Sequence, residues 1–295
     1  MLQTPIRFAI FGNQYQAHKS ASLQKVLTVL DAAGAELTID KEYADFLTGS
    51  QKIDIGNATV FEGNDFDADF VISMGGDGTF LMVANRVGSK QTPIIGVNMG
   101  RLGFLADISP NDIDREIKTI LRGDYSIEER TVISVFADGK PLVEDNCALN
   151  DIAILKRDDA SMITIEAEIN GETLTTYEAD GLIVSTTTGS TAYSLSVGGP
   201  ILVPQTGILC LTPVAPHSLS IRPVVISDTS EITLSVESRS HQYLVAIDGR
   251  SVSCQEGTRL TVKKANHVVK VVKRNGQSYF KTLREKMMWG AKAKM

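Results

Sequence analysis

The densest chemistry in the sequence lies in Asp69-Phe70-Val71-Ile72-Ser73-Met74-Gly75-Gly76-Asp77-Gly78-Thr79-Phe80-Leu81, where an apolar run enters glycines set around one acid. A strand that leads through such a turn into a helix predicts an anion cradle. Glycine takes backbone angles closed to other residues, so consecutive N–H groups can face a phosphate at the positive end of the helix. Asp77 is the odd member, because a carboxylate beside phosphate is repelled unless it takes a proton from a hydroxyl or holds Mg²⁺. The competing reading is a tight strand-to-helix turn whose aspartate caps the helix. The P-loop spelling is absent, and GxGxxG fails because Gly76-Asp77-Gly78 continues into Thr79-Phe80-Leu81.

Other segments offer partners for that turn. Gly96-Val97-Asn98-Met99-Gly100-Arg101-Leu102-Gly103-Phe104-Leu105 again follows a buried-strand pattern and brings a second loop to the same sheet edge. There Phe104 could stack on an aromatic base and Arg101 could meet phosphate, although a core phenylalanine and a solvated arginine are the plainer readings. From Asp180-Gly181 through Thr186-Thr187-Thr188-Gly189-Ser190-Thr191-Ala192-Tyr193-Ser194-Leu195-Ser196 to Gly198-Gly199-Pro200, hydroxyls crowd beside glycines. Such a loop can donate to and accept from a sugar or phosphate, or it can be an ordinary polar turn. Asn150-Asp151 sets an amide beside an acid, a pair able to grip vicinal hydroxyls or to form an Asx turn. His18, His217, His241 and His267 show neither HxxxH nor HExxH spacing, so no metal ligands are assigned, and GxSxG is missing.

These residues need a scaffold, and the chain supplies two kinds. Short apolar runs at Ile6–Phe11, Phe70–Ser73 and Ile94–Val97 alternate with helical stretches at Ser20–Ala33, from Thr79, and at Asp112–Leu121. Repeated strand-then-helix units predict a parallel sheet. Past about Glu128, Asp138-Gly139, Asn170-Gly171, Asp248-Gly249 and Asn275-Gly276 sit between β-rich runs and supply the positive φ angles of two-residue hairpins. The resulting expectation is an α/β domain over 1–128, a β-rich domain over 129–276 and a terminal helix over 277–295 that returns to the first. The predicted terminal helix, Lys281 to Trp289, carries Leu283, Met287 and Met288 on one side.

The 295 residues carry 29 Lys and Arg against 35 Asp and Glu, a net charge of −6 that argues against nucleic acid or an anionic membrane as main partner. Cys147, Cys210 and Cys254 lack CxxC spacing and read as reduced thiols. The apolar run near the start is short for a signal peptide, and no stretch reaches the ~18 apolar residues of a membrane span. A soluble cytoplasmic protein is expected.

Taken together, Gly75-Gly76-Asp77-Gly78-Thr79, Asn98-x-Gly100-x-Leu102-Gly103-Phe104-Leu105, Asn150-Asp151 and the run from Asp180-Gly181 to Gly198-Gly199-Pro200 resemble the NAD kinase family. Pro216-His217-Ser218-Leu219 with Arg222-Pro223 resembles it too, so the likeness extends from about Phe70 to Trp289. The resemblance implies an α/β N-terminal domain with a parallel sheet plus an all-β C-terminal domain, in homo-oligomers that are often tetramers. It implies a site between the domains, shared with a neighbouring subunit, that moves the γ-phosphoryl of ATP, with Mg²⁺ or another divalent cation, onto the 2′-hydroxyl of the adenosine ribose of NAD to give NADP. Asp77 would take or orient the hydroxyl proton, Gly78 and its neighbours would hold phosphate, and Phe104 would line the adenine pocket. Asn150 and Asp151, the latter where glutamate is more frequent, would bind the adenosine. Asp180, Thr191, Ala192, Tyr193, Ser194 and Ser196 would contact NAD, partly across a subunit boundary. Arg250 stands where some members have glutamine and offers a phosphate contact. Two other readings stay open: a diacylglycerol- or sphingosine-type lipid kinase, which has the same Gly-Gly-Asp-Gly turn, and a non-catalytic NAD-binding sensor.

Overall fold

The computed structural model describes residues 5–13, 20–100, 103–109, 111–157, 161–274 and 276–290, so Arg101, Leu102 and Asn275 lie outside the described residues. The chain divides into two compact units, one formed by Met1–Glu129 with Val269–Met295 and the other by Arg130–Val268.

The first unit runs β1 (Arg7–Gly12), α1 (Ser20–Ala32), β2 (Glu36–Asp40), α2 (Lys41–Asp45), β3 (Thr59–Phe61), β4 (Phe70–Gly75), α3 (Asp77–Val87), β5 (Ile94–Asn98) and α4 (Ile113–Leu121). Its strands pair in parallel in the order β3-β2-β1-β4-β5. The winding reverses between β1 and β4, and in open α/β sheets the ligand crevice forms at the carboxyl ends of strands flanking such a reversal. The turn after β4 is Gly75–Gly78, so topology alone carries Asp77 to that edge. All of β4 and β5 is buried, as expected of central parallel strands covered on both faces. Phe8, Ile10, Ile72, Met74, Ile95 and Val97 share one core with Leu23, Val26, Leu27 and Leu30 of α1. Helix α3 begins at Asp77 instead of Thr79, two residues nearer the strand.

The second unit begins within β6 (Tyr125–Ala137) and continues through β7 (Lys140–Pro141), β8 (Cys147–Ala148), β9 (Asp151–Lys156), β10 (Ile163–Ile169), β11 (Glu172–Ala179) and β12 (Gly181–Thr186). After a short helix α5 (Tyr193–Ser196) come β13 (Ile208–Val214), β14 (Val224–Ser227), β15 (Ile232–Glu237), β16 (Gln242–Ile247), β17 (Arg250–Gln255) and β18 (Leu260–Arg274). Six of these strands form an antiparallel sheet in the order β14-β13-β12-β9-β16-β17. A second antiparallel run joins β11, β10, β15 and the start of β18. Ile152 and Ile154 of β9, with Leu182 and Val184 of β12, share a core with Ile163 and Ile165 of β10, which makes the unit a sandwich. Ala153 and Ile183 fall on the opposite face, as the period of two requires.

The hairpin expectation is met at three places, where Asp138, Asn170 and Asp248 have φ of 48°, 53° and 46° and are each followed by a positive-φ glycine. The fourth differs. Gly276 has φ of 82° but joins β18 to α6 (Tyr279–Met287), because the residues that follow are helix formers with one buried leucine, Leu283. Strand β18 passes from the second unit into the first at Val269, and α6 belongs to the first unit. Among the described residues no helix is long and apolar enough to cross a membrane.

Candidate active site

In the first unit the site is built around Asp77. Its side chain does not cap α3: the N-cap position is Gly76 and no side chain bonds the first turn. The carboxylate instead reaches across to the loop after β5, where Oδ2 accepts the Phe104 N–H at 2.9 Å and Oδ1 accepts those of Leu105 and Ala106 at 3.0 Å each. Three successive amides thus close on one carboxylate, and Asp77 fixes the second loop to the first. A carboxylate offers about four acceptor positions, so one remains, on Oδ2. Gly103 is needed for this closure, since a β-carbon there would stand 2.1 Å from Asp77 Oδ1.

The glycines of the turn act differently from the expectation. None of Gly75, Gly76 and Gly78 has a positive φ, so the turn does not depend on backbone angles reserved for glycine. Gly75 is required sterically, because an added β-carbon would meet Thr79 Oγ1 at 2.1 Å, whereas around Gly76 and Gly78 there is open space. The first-turn N–H groups of an α-helix have no acceptor within the helix, and here they adjoin two residues without side chains. An anion can therefore approach the backbone of α3 closely. Phe104 is half-buried, with its ring centroid 6.5 Å from that of Tyr279 and Lys286 Nζ 5.7 Å from it, so α6 flanks this residue.

In the second unit the pairing of strands gathers the polar segments. Asp151 opens β9 and stands opposite Ser185 of β12, while Ile152 stands opposite Ile247 of β16. The turn at Asn150, the hydroxyl loop after Thr186 and the β16–β17 turn at Asp248 therefore meet at one end of the six-stranded sheet. Asp180 does not join them. It precedes β12 at the strand's other end, roughly 17 Å away at ~3.3 Å per residue, and pairs with Lys156 at 2.8 Å.

Much of the hydroxyl loop is scaffold. Thr186 Oγ1 donates to Leu149 O at 2.6 Å, Ser190 Oγ donates to Thr187 O at 2.8 Å, and the Leu202 N–H donates to Ser190 Oγ at 3.0 Å. Ser194, expected among the contact residues, is fully buried with Oγ 2.9 Å from Thr212 Oγ1, so its hydroxyl is committed inward. Thr191 and Ala192 are partly exposed, and Tyr193 and Ser196 are exposed. Arg250 donates to Ile247 O at 3.2 Å and to Cys147 O at 2.9 Å, which ties its guanidinium to the turn.

Burial pushes the Asp151 carboxyl up to about 7, and the charge of Asp248 adds to the rise. Asp248 is raised by burial as well, but the Leu149, Asp151 and Asn150 N–H groups and Arg250 all favour its charged form. Sequence reading saw Asp248 only as a turn former. Its second role has no local signal, because the N–H groups that it binds lie about a hundred residues earlier in the chain.

The profile of the ATP-NAD kinase N-terminal domain matches residues 8–125, and that of the C-terminal domain matches residues 149–274. The chain belongs to the NAD kinase family. A Bacteroides fragilis NAD kinase is 54% identical over 290 residues, covering 98% of this chain and 100% of its own. A Porphyromonas gingivalis NAD kinase is 42% identical over 287 residues, covering 97% and 98%. The fold agrees with that of yeast NADH kinase solved with NADH, at a TM-score of 0.88 and 21% identity over 98% of this chain and 89% of that one. An Archaeoglobus fulgidus NAD kinase solved with ATP gives a TM-score of 0.70 at 25% identity, covering 96% and 99%. The chain is thus a kinase of this family, and the matches support neither the lipid kinase nor the sensor reading.

Proposed function

We propose that the chain transfers the γ-phosphoryl of ATP to the 2′-hydroxyl of the adenosine ribose of NAD, giving NADP and ADP, with Asp77 at the reacting oxygen. The remaining acceptor position on Asp77 Oδ2 receives the 2′-O–H and aligns its oxygen for in-line attack on the γ-phosphorus. As the new O–P bond forms, the bond from the γ-phosphorus to the β–γ bridging oxygen breaks, ADP leaves with that electron pair, and the hydroxyl proton passes to the Asp77 carboxylate and on to water. Phosphoryl transfer asks mostly for charge stabilisation and positioning, which the backbone at Gly78 and the first turn of α3 provide. The observation that carries this assignment is the three-amide grip on Asp77, which fixes the carboxylate and leaves one acceptor free.

The other roles rest on the family likeness and on where the structure places each residue. Phe104 offers a ring face to adenine, and Asn150 with Asp151 takes the adenosine ribose, Asp151 able to donate or accept near neutral pH. Thr191, Ala192, Tyr193 and Ser196 contact NAD, and Ser194 shapes their loop from within. Asp180 lies at the far end of β12 from them, which fits a contact made by a second copy of the chain and hence a homo-oligomer. Among the described residues no group of three His, Cys, Asp or Glu could hold a metal ion. A divalent cation would enter as Mg·ATP, since Mg²⁺ is commonly held by substrate phosphates and its own waters. Cys147, Cys210 and Cys254 are free, in keeping with a reducing cytoplasm.

The test is purified chain with Mg·ATP and NAD, scored for NADP by a dehydrogenase specific for it, with diacylglycerol in a parallel reaction. NADP formation supports the reading. Phosphorylated lipid, or no product from either acceptor, overturns it.

A further inference from the structure

The β16–β17 turn is a polar cluster to which neither sequence nor fold gives a task. Asp248 occupies the first position of this turn with φ of 46°. Its Oδ2 accepts the Leu149 N–H at 2.7 Å, and its Oδ1 accepts those of Asn150 and Asp151 at 2.8 and 3.1 Å. Its own N–H donates to Asp151 O at 3.0 Å. Two residues on, the Arg250 guanidinium donates to Cys147 O at 2.9 Å and lies 3.7 Å from Asp145. From the opposite side Thr186 donates to Leu149 O through Oγ1 at 2.6 Å and to Asn150 O through its N–H at 2.9 Å. Every backbone donor and acceptor from Leu149 to Asp151 is therefore bonded, and bonded within the unit. A turn between strands needs far less. With the backbone of the turn fully engaged, a ligand there would be answered by side chains, Asn150 partly exposed and Asp151 buried, whose placement these bonds set.

We propose that the turn Asp248–Arg250 is the positioning device for NAD recognition, holding Asn150 and Asp151 in the geometry that binds the adenosine. The proposal rests on the assignment of those two residues to NAD. In this role Asp248 would act through the turn it grips and not by a contact of its own with substrate. Its charge matters as well as its shape, because an amide in its place would set an N–H₂ group against an N–H that now finds an oxygen.

Asp248→Asn isolates this role, since asparagine accepts the same positive φ and nearly the same volume. With the purified full chain, the variant is expected to raise the KM for NAD roughly 10-fold, with kcat and the KM for ATP each within about 2-fold. Asn150→Ala, assayed beside it, is expected to raise the KM for NAD in the same way. An unchanged KM for NAD in Asp248→Asn, where Asn150→Ala raises it, would overturn the positioning role alone. An unchanged KM in Asn150→Ala would overturn the assignment of the turn to NAD and the positioning role with it. A fall in kcat together with a rise in both KM values, accompanied by a lower Tm, marks Asp248 as merely structural and also overturns the proposal. Should Asp248→Asn fail to fold, Arg250→Gln decides the matter. It releases the Cys147 and Ile247 carbonyls and an exposed ion pair, and a 2- to 3-fold rise in the KM for NAD, about what weakened surface hydrogen bonds give, supports the proposal where no rise refutes it.

Discussion

Each unit of the chain closes a loop with one aspartate that accepts three successive backbone N–H groups, yet the two aspartates serve opposite ends of the chemistry. Asp77 stands at the start of α3 and grips 104–106, while Asp248 stands at a hairpin turn and grips 149–151. In the first unit the gripping carboxylate is itself the proposed reactive group, steadied by the loop that it holds. In the second unit the gripping carboxylate holds the turn, and the side chains of the gripped residues are the ones proposed to meet the ligand. The same hydrogen-bond pattern would thus fix the proposed catalytic oxygen in one place and the proposed binding residues in the other. The kinetic signatures should separate accordingly, with kcat lost at the first and KM at the second.

The sharpest break between the two is Asp77→Asn. An amide has no lone pair to take the 2′-hydroxyl proton where its nitrogen replaces Oδ2, and the loop at 104–106 loses an acceptor as well. Turnover is expected to fall by about 10³-fold, in the range usual for a lost proton acceptor, while the dissociation constant for NAD, read by calorimetry, stays within a few-fold. If turnover and NAD affinity fell together, Asp77 would be a loop anchor of the same kind as Asp248 and the contrast would vanish.

Next in size is Gly103→Ala. Its β-carbon would fall 2.1 Å from Asp77 Oδ1 and 2.9 Å from Ala106 O, so the grip must open. Displacing the carboxylate by about 1 Å is expected to lower kcat by roughly 10²-fold with little change in the KM for NAD. A variant with wild-type turnover would show that the placement of Asp77 does not depend on this loop.

The extent to which these roles can be read from sequence differs between the units. The strand-turn-helix around Asp77 is local: β4, the glycines and α3 are contiguous, so Asp77 stands out within one segment, and the parallel sheet follows from the repetition of such units. The partner of Asp77 is less visible, because a carboxylate beside glycines suggests a cap for its own helix, and nothing local says that it reaches the loop 27 residues later. In the second unit the β-rich character follows from alternation and Asx-Gly turns. The convergence of Asn150, Thr186 and Asp248 follows only from β9 lying between β12 and β16, a non-local pairing. The separation of Asp180 from Thr191 has the same origin, since a strand intervenes between residues that the sequence sets near each other. Ser194 was legible as a loop hydroxyl but not as a buried one, because Thr212, its partner, is on the neighbouring strand.

Gly189→Ala probes the second grip from its other side. Its β-carbon would meet Asn150 O at 2.0 Å, a backbone atom held by the Thr186 N–H, so the turn has to move away from the hydroxyl loop. The KM for NAD should rise by about 10-fold and kcat by contrast should hold, the reverse of Gly103→Ala. Equal effects of the two alanines on kcat would erase the distinction between the units.

The smallest effect on activity and the clearest in stability belongs to Asp151. Its carboxyl titrates near 7 in the folded chain against an ordinary 3.8, so between these values the folded state holds a proton that the unfolded state has released. The stability contributed by that proton is fully present below about 3.8 and is lost as pH rises through 7, and Asp248, raised by burial, adds to the slope with the same sign. Asp151→Asn removes the ionisation and keeps the shape. The variant should match the wild type in Tm near pH 4 and exceed it above pH 7, with the gap opening between those values, while turnover changes only a few-fold. A wild-type Tm profile that runs parallel to that of the variant from pH 4 to 8 would mean that Asp151 is ionised throughout, and that the grip of Asp248 on the turn does not set where the proton sits.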